Sequence, residues 1–140
     1  MGTVYAVISL KNARDEGGRR AGLMKAEDVR SVNVKSVVDT GAMSLVITEK
    51  LCQKLGLEKI GEKFVRIANG QRVSCKLTEA VEIHWKNRIS ILSAVVIPGA
   101  KTVLLGTIPL EDMDLLVNPV TKELAGAHGE NVECFAYCIK

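Results

Sequence analysis

No two of the four cysteines form a Cys-x-x-Cys pair, and neither His84 nor His128 is spaced as a ligand beside Cys52, Cys75, Cys134 or Cys138. That spacing argues against a metal site and against a Cys/His catalytic pair, so the cysteines are expected as reduced thiols and no cofactor is implied. Aromatic residues make up only 4% of the chain, and its 19 Lys and Arg are scattered along it. Without a basic stripe interleaved with aromatics, nucleic-acid binding is not expected. No cationic stretch precedes the apolar run within Met1 to Leu10. The run is too short for a secretory signal or a membrane span, so the expected setting is soluble and cytoplasmic, with no membrane partner. At 140 residues there is room for one domain with a real core, taken as residues 1–140, and hardly for two.

Also missing is a second copy of the most distinctive segment, Val37-Val38-Asp39-Thr40-Gly41-Ala42. Val32, Val34, Val37 and Val38 have the composition of a buried strand, Thr40-Gly41-Ala42 supplies a turn, and apolar residues resume at Leu45, Val46 and Ile47. An ionised carboxylate at the mouth of such a strand is hard to solvate. Asp39 is therefore expected to be protonated, well hydrogen-bonded or facing a wet cleft. Asp and Gly are common turn residues, so Asp-Thr-Gly by itself also fits a plain turn. Its context is more specific: two apolar residues precede it, Ala follows, and Leu104-Leu105-Gly106 places a glycine 67 positions after Asp39.

With that context the chain resembles the retropepsins, the single-domain aspartic proteases of retroviruses and their cellular and bacterial relatives, from about Val34 to about Leu124. The resemblance implies an all-β fold, a retropepsin-like acid-protease half-barrel with a flap hairpin and one or two short helices. It implies Asp39 as the catalytic carboxylate, Thr40 as a hydrogen-bonding group across a dimer axis, and Gly41 as the point where backbone approaches closely. Leu104, Leu105 and Gly106 would pack beneath the catalytic loop, with Thr102 and Val103 as subsite walls. Ala42 and the hairpin tip Ala68-Asn69-Gly70 would touch substrate. The mechanism needs two carboxylates facing one water, yet Asp15, Asp28, Asp112 and Asp114 all lie in charged or helix-like surroundings. The second carboxylate would then come from a second copy, which a twofold homodimer supplies. The implied activity is that of a homodimeric aspartic endopeptidase acting on a peptide or protein. The alternative is a non-catalytic binding or dimerisation module on the same fold. Thr107 and Ile108 stand where viral enzymes usually have an arginine and a short helix, and a helix is expected after Thr48. Both features place the resemblance nearer the cellular and bacterial branch.

Along the rest of the chain, Thr3 to Leu10 reads as a first strand. Lys11 to Asp28, with its charges and Gly17-Gly18, reads as a surface loop in which Ala21 to Met24 could form a short extended piece. Thr48 is placed to cap a short helix through Leu55, with Gly56 as its stop. Phe64 to Leu77 reads as a hairpin. An odd three- or five-residue loop centred on Gly70 would pair Ile67 with Val73 and Val65 with Cys75. A three-residue loop Lys86-Asn87-Arg88 would pair Trp85 with Ile89 and Ile83 with Ile91, sending those residues to the core, with His84 exposed or satisfied beside them. Pro109 suits the first turn of a short helix to about Met113, and Leu115 to Val117 with Glu123 to Ala125 would make a last hairpin. The tail, Val132 to Ile139, fits either an intersubunit strand or a core edge strand.

Overall fold

Alternation builds the first strand, β1 (Val4–Asn12): Val4, Ala6, Ile8 and Leu10 are buried while Tyr5 and Val7 stay exposed. The computed structural model describes residues 3–128; Val132 to Ile139, with Cys134 and Cys138, lie outside them. After β1 come a helix α1 (Ala13–Arg20), β2 (Ser31–Val38), β3 (Leu45–Ile47), α2 (Glu49–Lys54), β4 (Lys59–Arg66), β5 (Arg72–Trp85) and β6 (Arg88–Val96). Then follow β7 (Leu104–Leu105), α3 (Thr107–Asp112) and a separate hairpin of β8 (Leu115–Asn118) and β9 (Glu123–Gly126). The large sheet runs β1-β2-β7-β3-β6-β5-β4, and β1 also pairs with β5. That extra pairing closes six strands into a ring and leaves β4 outside it. Ile8, Leu10, Leu45, Ile47, Ile83 and Leu105 fill the ring, and Leu55, Leu110 and Met113 pack against them. Burying each such side chain fully is worth about 1.5–3 kcal/mol. The all-β half-barrel with short helices is as the sequence implies.

The helix after Thr48 is also as expected. The Thr48 hydroxyl accepts from Leu51 N at 3.2 Å, and Gly56, at φ +63, ends the turn beyond Leu55.

Residues 11–28 differ from the surface loop expected of them. They contain α1 and a single 3-10 turn at Ala26–Asp28, although a glycine inside a helix costs about 1 kcal/mol against alanine. Tertiary contacts outweigh Gly17 and Gly18. Asn12 is fully buried: its side-chain oxygen accepts from Asp15 N at 3.1 Å, capping the helix, and its amide donates to Leu55 O at 2.9 Å. Arg30 donates to the buried Asp15 carboxylate at 2.8 and 3.0 Å, and Arg20 donates to the buried Glu82 carboxylate of β5 at 2.8 and 3.0 Å. Ala21 to Met24 forms a turn and bend, not an extended piece, and Leu23 is 86% exposed.

The β4/β5 hairpin has an odd loop, but it is centred on Asn69 and pairs Val65 with Val73. This register lies two residues from the expected one and so keeps the same faces. The cause is local: Asn69 Oδ1 accepts from Gln71 N at 2.9 Å, Ile67 O accepts from Gly70 N at 2.9 Å, and Gly70 takes φ +85. A tight turn closed by a left-handed glycine fits a three-residue loop. Further along β5 the ladder to β6 shifts between Leu77 and Ala80. There the Thr78 hydroxyl accepts from Ala94 N at 3.0 Å, and the bulge re-aims the strand from the hairpin into the ring.

The β5/β6 turn corrects the sequence more sharply. Trp85 pairs with Arg88, His84 with Ile89 and Ile83 with Ser90, around a two-residue loop with Lys86 at φ +50. A one-residue slip exchanges the faces of a strand. Ile89 and Ile91 are therefore 46% and 54% exposed, while Arg88 is fully buried. Arg88 Nη1 donates to Met113 O at 2.7 Å and Asp114 O at 3.1 Å at the end of α3. Left unpaired, those two buried carbonyls would cost about 1–3 kcal/mol each, which is comparable with what burying the two isoleucines would gain.

Candidate active site

Strand β2 carries the chain into the loop at residues 39–44. Asp39 N donates to Leu105 O at 3.0 Å, and Ala42 N donates back to Asp39 O at 3.1 Å. Within the turn Gly41 N donates to Asp39 Oδ1 at 2.9 Å, which orients the carboxylate. Asp39 is half-buried, and Thr40 and Gly41 are exposed. The carboxylate thus accepts a hydrogen bond from the backbone of its own turn.

Beneath the loop lies β7, wedged between β2, which it parallels, and β3, to which it is antiparallel. Gly106 N donates to Ser44 O at 3.0 Å, Thr107 N to Ala42 O at 2.9 Å and Ile108 N to Met43 O at 2.8 Å. Two stretches far apart in sequence are thus joined by a backbone ladder. A Cβ at position 106 would lie 2.4 Å from Ser44 O and 2.7 Å from both Ala42 O and Ser44 N, so only glycine fits there.

Asp39, Thr40, Gly41 and Ala42 are brought together with Leu104, Leu105 and Gly106. Ala68, Asn69 and Gly70 sit at the tip of the β4/β5 hairpin, where the hydrogen bonds run within the hairpin itself, including Arg66 Nη1 to Gly70 O at 2.9 Å. Thr102 is exposed, but Val103 is 2% exposed and belongs to the core. Val103 is therefore too buried to stand as an open wall, and its carbonyl accepts from Val37 N at 2.8 Å. Leu104, the next residue and the first of β7, is partly exposed. The register pairs Leu104 with Val37, and Val37 with Tyr5, so these three form one partly exposed apolar row below Asp39.

Away from this loop several buried titratable groups are paired or raised by burial. His84 Nε2 lies 2.9 Å from Glu82 Oε1, a satisfied imidazole. Burial would raise the Glu82 carboxyl, but Arg20 and His84 outweigh it and hold it below the ordinary carboxylate range. Burial pushes the Cys52 and Cys75 thiols up. Among the described residues no three His, Cys, Asp or Glu gather as a metal site, and no helix is long and apolar enough to cross a membrane.

A closed β fold with an Asp-Thr-Gly loop laced to an apolar-apolar-Gly strand defines the class of retropepsin-like aspartic proteases. The family model described as "gag-polyprotein putative aspartyl protease" matches residues 27–112, and the chain belongs to that family. Among solved structures it is similar to an EIAV protease complexed with the inhibitor HBY-793, with TM-score 0.55 and 17% identity over 79% of this chain and 88% of that one. It is also similar to the retroviral protease-like domain of Ddi1 from Leishmania major, with TM-score 0.56 and 13% identity over 95% of this chain and 92% of that one. A retropepsin-like aspartic protease from Rickettsia conorii matches with TM-score 0.47 and 18% identity over 84% and 77% of the two chains. At 17% and 13% identity the first two likenesses are ones of fold. No curated protein sequence matches the chain.

Proposed function

We propose that the chain, as one retropepsin-like domain over residues 1–140, is a subunit of a homodimeric aspartic endopeptidase that acts in the cytoplasm on a peptide or protein substrate. The observation that carries this reading is a single Asp39 carboxylate, oriented by Gly41 on a loop braced by residues 104–108, in a chain with no second Asp-Thr-Gly. Met43 and Ile108, joined by a backbone hydrogen bond beside that loop, are 71% and 48% exposed. Apolar neighbours of this kind suit burial against a second copy.

In the dimer two Asp39 carboxyls share one proton, because like charges about 3 Å apart cannot both ionise cheaply. They titrate as a pair, in two separated steps. The ionised partner takes a proton from water as the water oxygen bonds to the scissile carbonyl carbon. The protonated partner donates to the carbonyl oxygen. The C–N bond then breaks, and the leaving nitrogen takes up a proton. Thr40 would hydrogen-bond across the axis, the hairpin tip at Ala68-Asn69-Gly70 would act as a flap, and Thr102 with Leu104 would form a subsite wall. Ala42 would contact the substrate backbone.

The test is cleavage of a mixed peptide library from acidic to neutral pH by wild type and Asp39→Asn at equal concentration, with sedimentation of both. Cleavage by the wild-type dimer and none by the Asp39→Asn dimer is the expected result. Undiminished cleavage by Asp39→Asn would overturn the mechanism, and a stable dimer inactive in both forms would favour the non-catalytic module.

A further inference from the structure

On the flank of β2 a groove is rimmed by Lys35, Lys50, Lys54 and Lys101 over a floor that includes Val34, Leu51 and Val103, and Thr102 also lines it. No carboxylate lines it. Lys50 and Lys54 are four apart on α2 and so share a helix face. Among the described residues neither they nor Lys101 have an ion-pair partner, and Lys35 Nζ rests 4.3 Å from the centre of the Tyr5 ring. The neighbouring carboxylate, Glu49, is held by Lys59 at 2.6 Å. Four of the chain's 19 Lys and Arg thus line one groove.

We propose that this groove binds an acidic, extended segment of the substrate polypeptide, outside the residues flanking the cleaved bond; this rests on the protease reading above. Four cations with no anion among them select a partner rich in Asp or Glu. The half-buried aliphatic floor suits an interspersed apolar side chain. The placement fits as well. Lys35 precedes Asp39 by four residues on one strand line, about 13 Å along an extended chain, and Lys101 leads into the strand that backs the Asp39 loop. An extended segment of some four or five residues spans that distance. Nucleic acid is disfavoured because the groove has no aromatic side chain lining it on which bases could stack. A lipid surface is disfavoured because none of the exposed large hydrophobic residues lines it.

The test is fluorescence anisotropy with a labelled ten-residue peptide of alternating Glu and Leu, on Asp39→Asn protein so that the probe is not cut. Binding that weakens at least tenfold in Lys50→Glu/Lys54→Glu, and again in the separate variant Lys101→Glu, with melting curves unchanged, is the expected result. It should fall with added salt, and the same peptide with Gln for Glu should not bind. Equal binding of the Gln peptide, or indifference to the charge reversals, would overturn the proposal. So would tighter lysine-dependent binding of a ten-nucleotide oligothymidylate or of phosphatidylglycerol vesicles. Failure of the protease reading would appear separately, as a wild type that binds the acidic peptide but cuts no peptide at all.

Discussion

Gly106→Ala puts one methyl group where the backbone of the Asp39 loop already is. Its carbon would lie 2.4 Å from Ser44 O and 2.7 Å from Ala42 O, and backbone cannot swing aside as a flexible side chain can. Either β7 or residues 42–44 must move, opening some of the hydrogen bonds from residues 106, 107 and 108 to Ser44, Ala42 and Met43, which are 2.8–3.0 Å long. Overpacking costs about 1–3 kcal/mol, and each hydrogen bond lost adds about 1 kcal/mol. A total of about 3 kcal/mol is expected, read as a shifted urea midpoint at unchanged slope and a melting temperature lower by about 10 °C. Gly17→Ala is the control. A Cβ there meets nothing within 4 Å, and inside α1 it should stabilise by about 0.5–1 kcal/mol. Gly106→Ala with wild-type stability would refute the account of how the loop is held.

If a second copy completes the site, melting temperature and specific activity should rise together with protein concentration; a melting temperature independent of concentration in a sedimenting monomer would sink the shared pair. Arg88→Met should lose about 3 kcal/mol in urea titration by stranding the buried carbonyls of Met113 and Asp114. Ile91→Thr should stay within about 0.5 kcal/mol of wild type, and a large loss there would restore the register with Ile91 in the core. Arg30 holds the Asp15 carboxyl below the ordinary range, and Arg19 does the same for Glu16. Groups lowered on folding stabilise fully above their unfolded values, near pH 4, and that part is lost as pH falls through the folded ones. The urea midpoint should therefore hold steady from pH 7 to 5 and drop below about pH 4, less steeply in Asp15→Asn.

What was legible in the sequence was local and periodic. A strand of β-branched residues ending in Asp-Thr-Gly, a threonine cap three residues before Leu51, and a glycine after Leu55 each fix their own conformation within a few residues. What was not legible depended on partners far along the chain. Gly17-Gly18 signals a loop, and only Glu82, 62 residues beyond Arg20, and Leu55, 43 beyond Asn12, hold that stretch as helix. The register at Lys86-Asn87 went astray for the same reason. Pattern favours isoleucine inside, whereas a buried guanidinium bonded to the end of α3 decides the pairing.

The arrangement also separates two acid-sensitive parts of the molecule. Val4 pairs with Val38, beside Asp39, whereas Lys11 pairs with Ser31 at the other end of the same two strands. Helix α1 and the carboxylates of Asp15, Glu16 and Glu82 belong to that far end, some seven residues or about 23 Å along β1. If two Asp39 carboxyls pair as proposed, that site and this ion-paired helix lie apart, yet both would act on activity at low pH, one through protonation of the site and the other through unfolding. A falling acid limb in a rate profile has two origins that kinetics alone would merge. Asp15→Asn separates them: it changes the pH at which the fold is lost and leaves the groups at the Asp39 loop untouched. An acid limb that moves with Asp15→Asn reports the helix, and one that stays fixed while the unfolding midpoint moves reports the shared carboxyls.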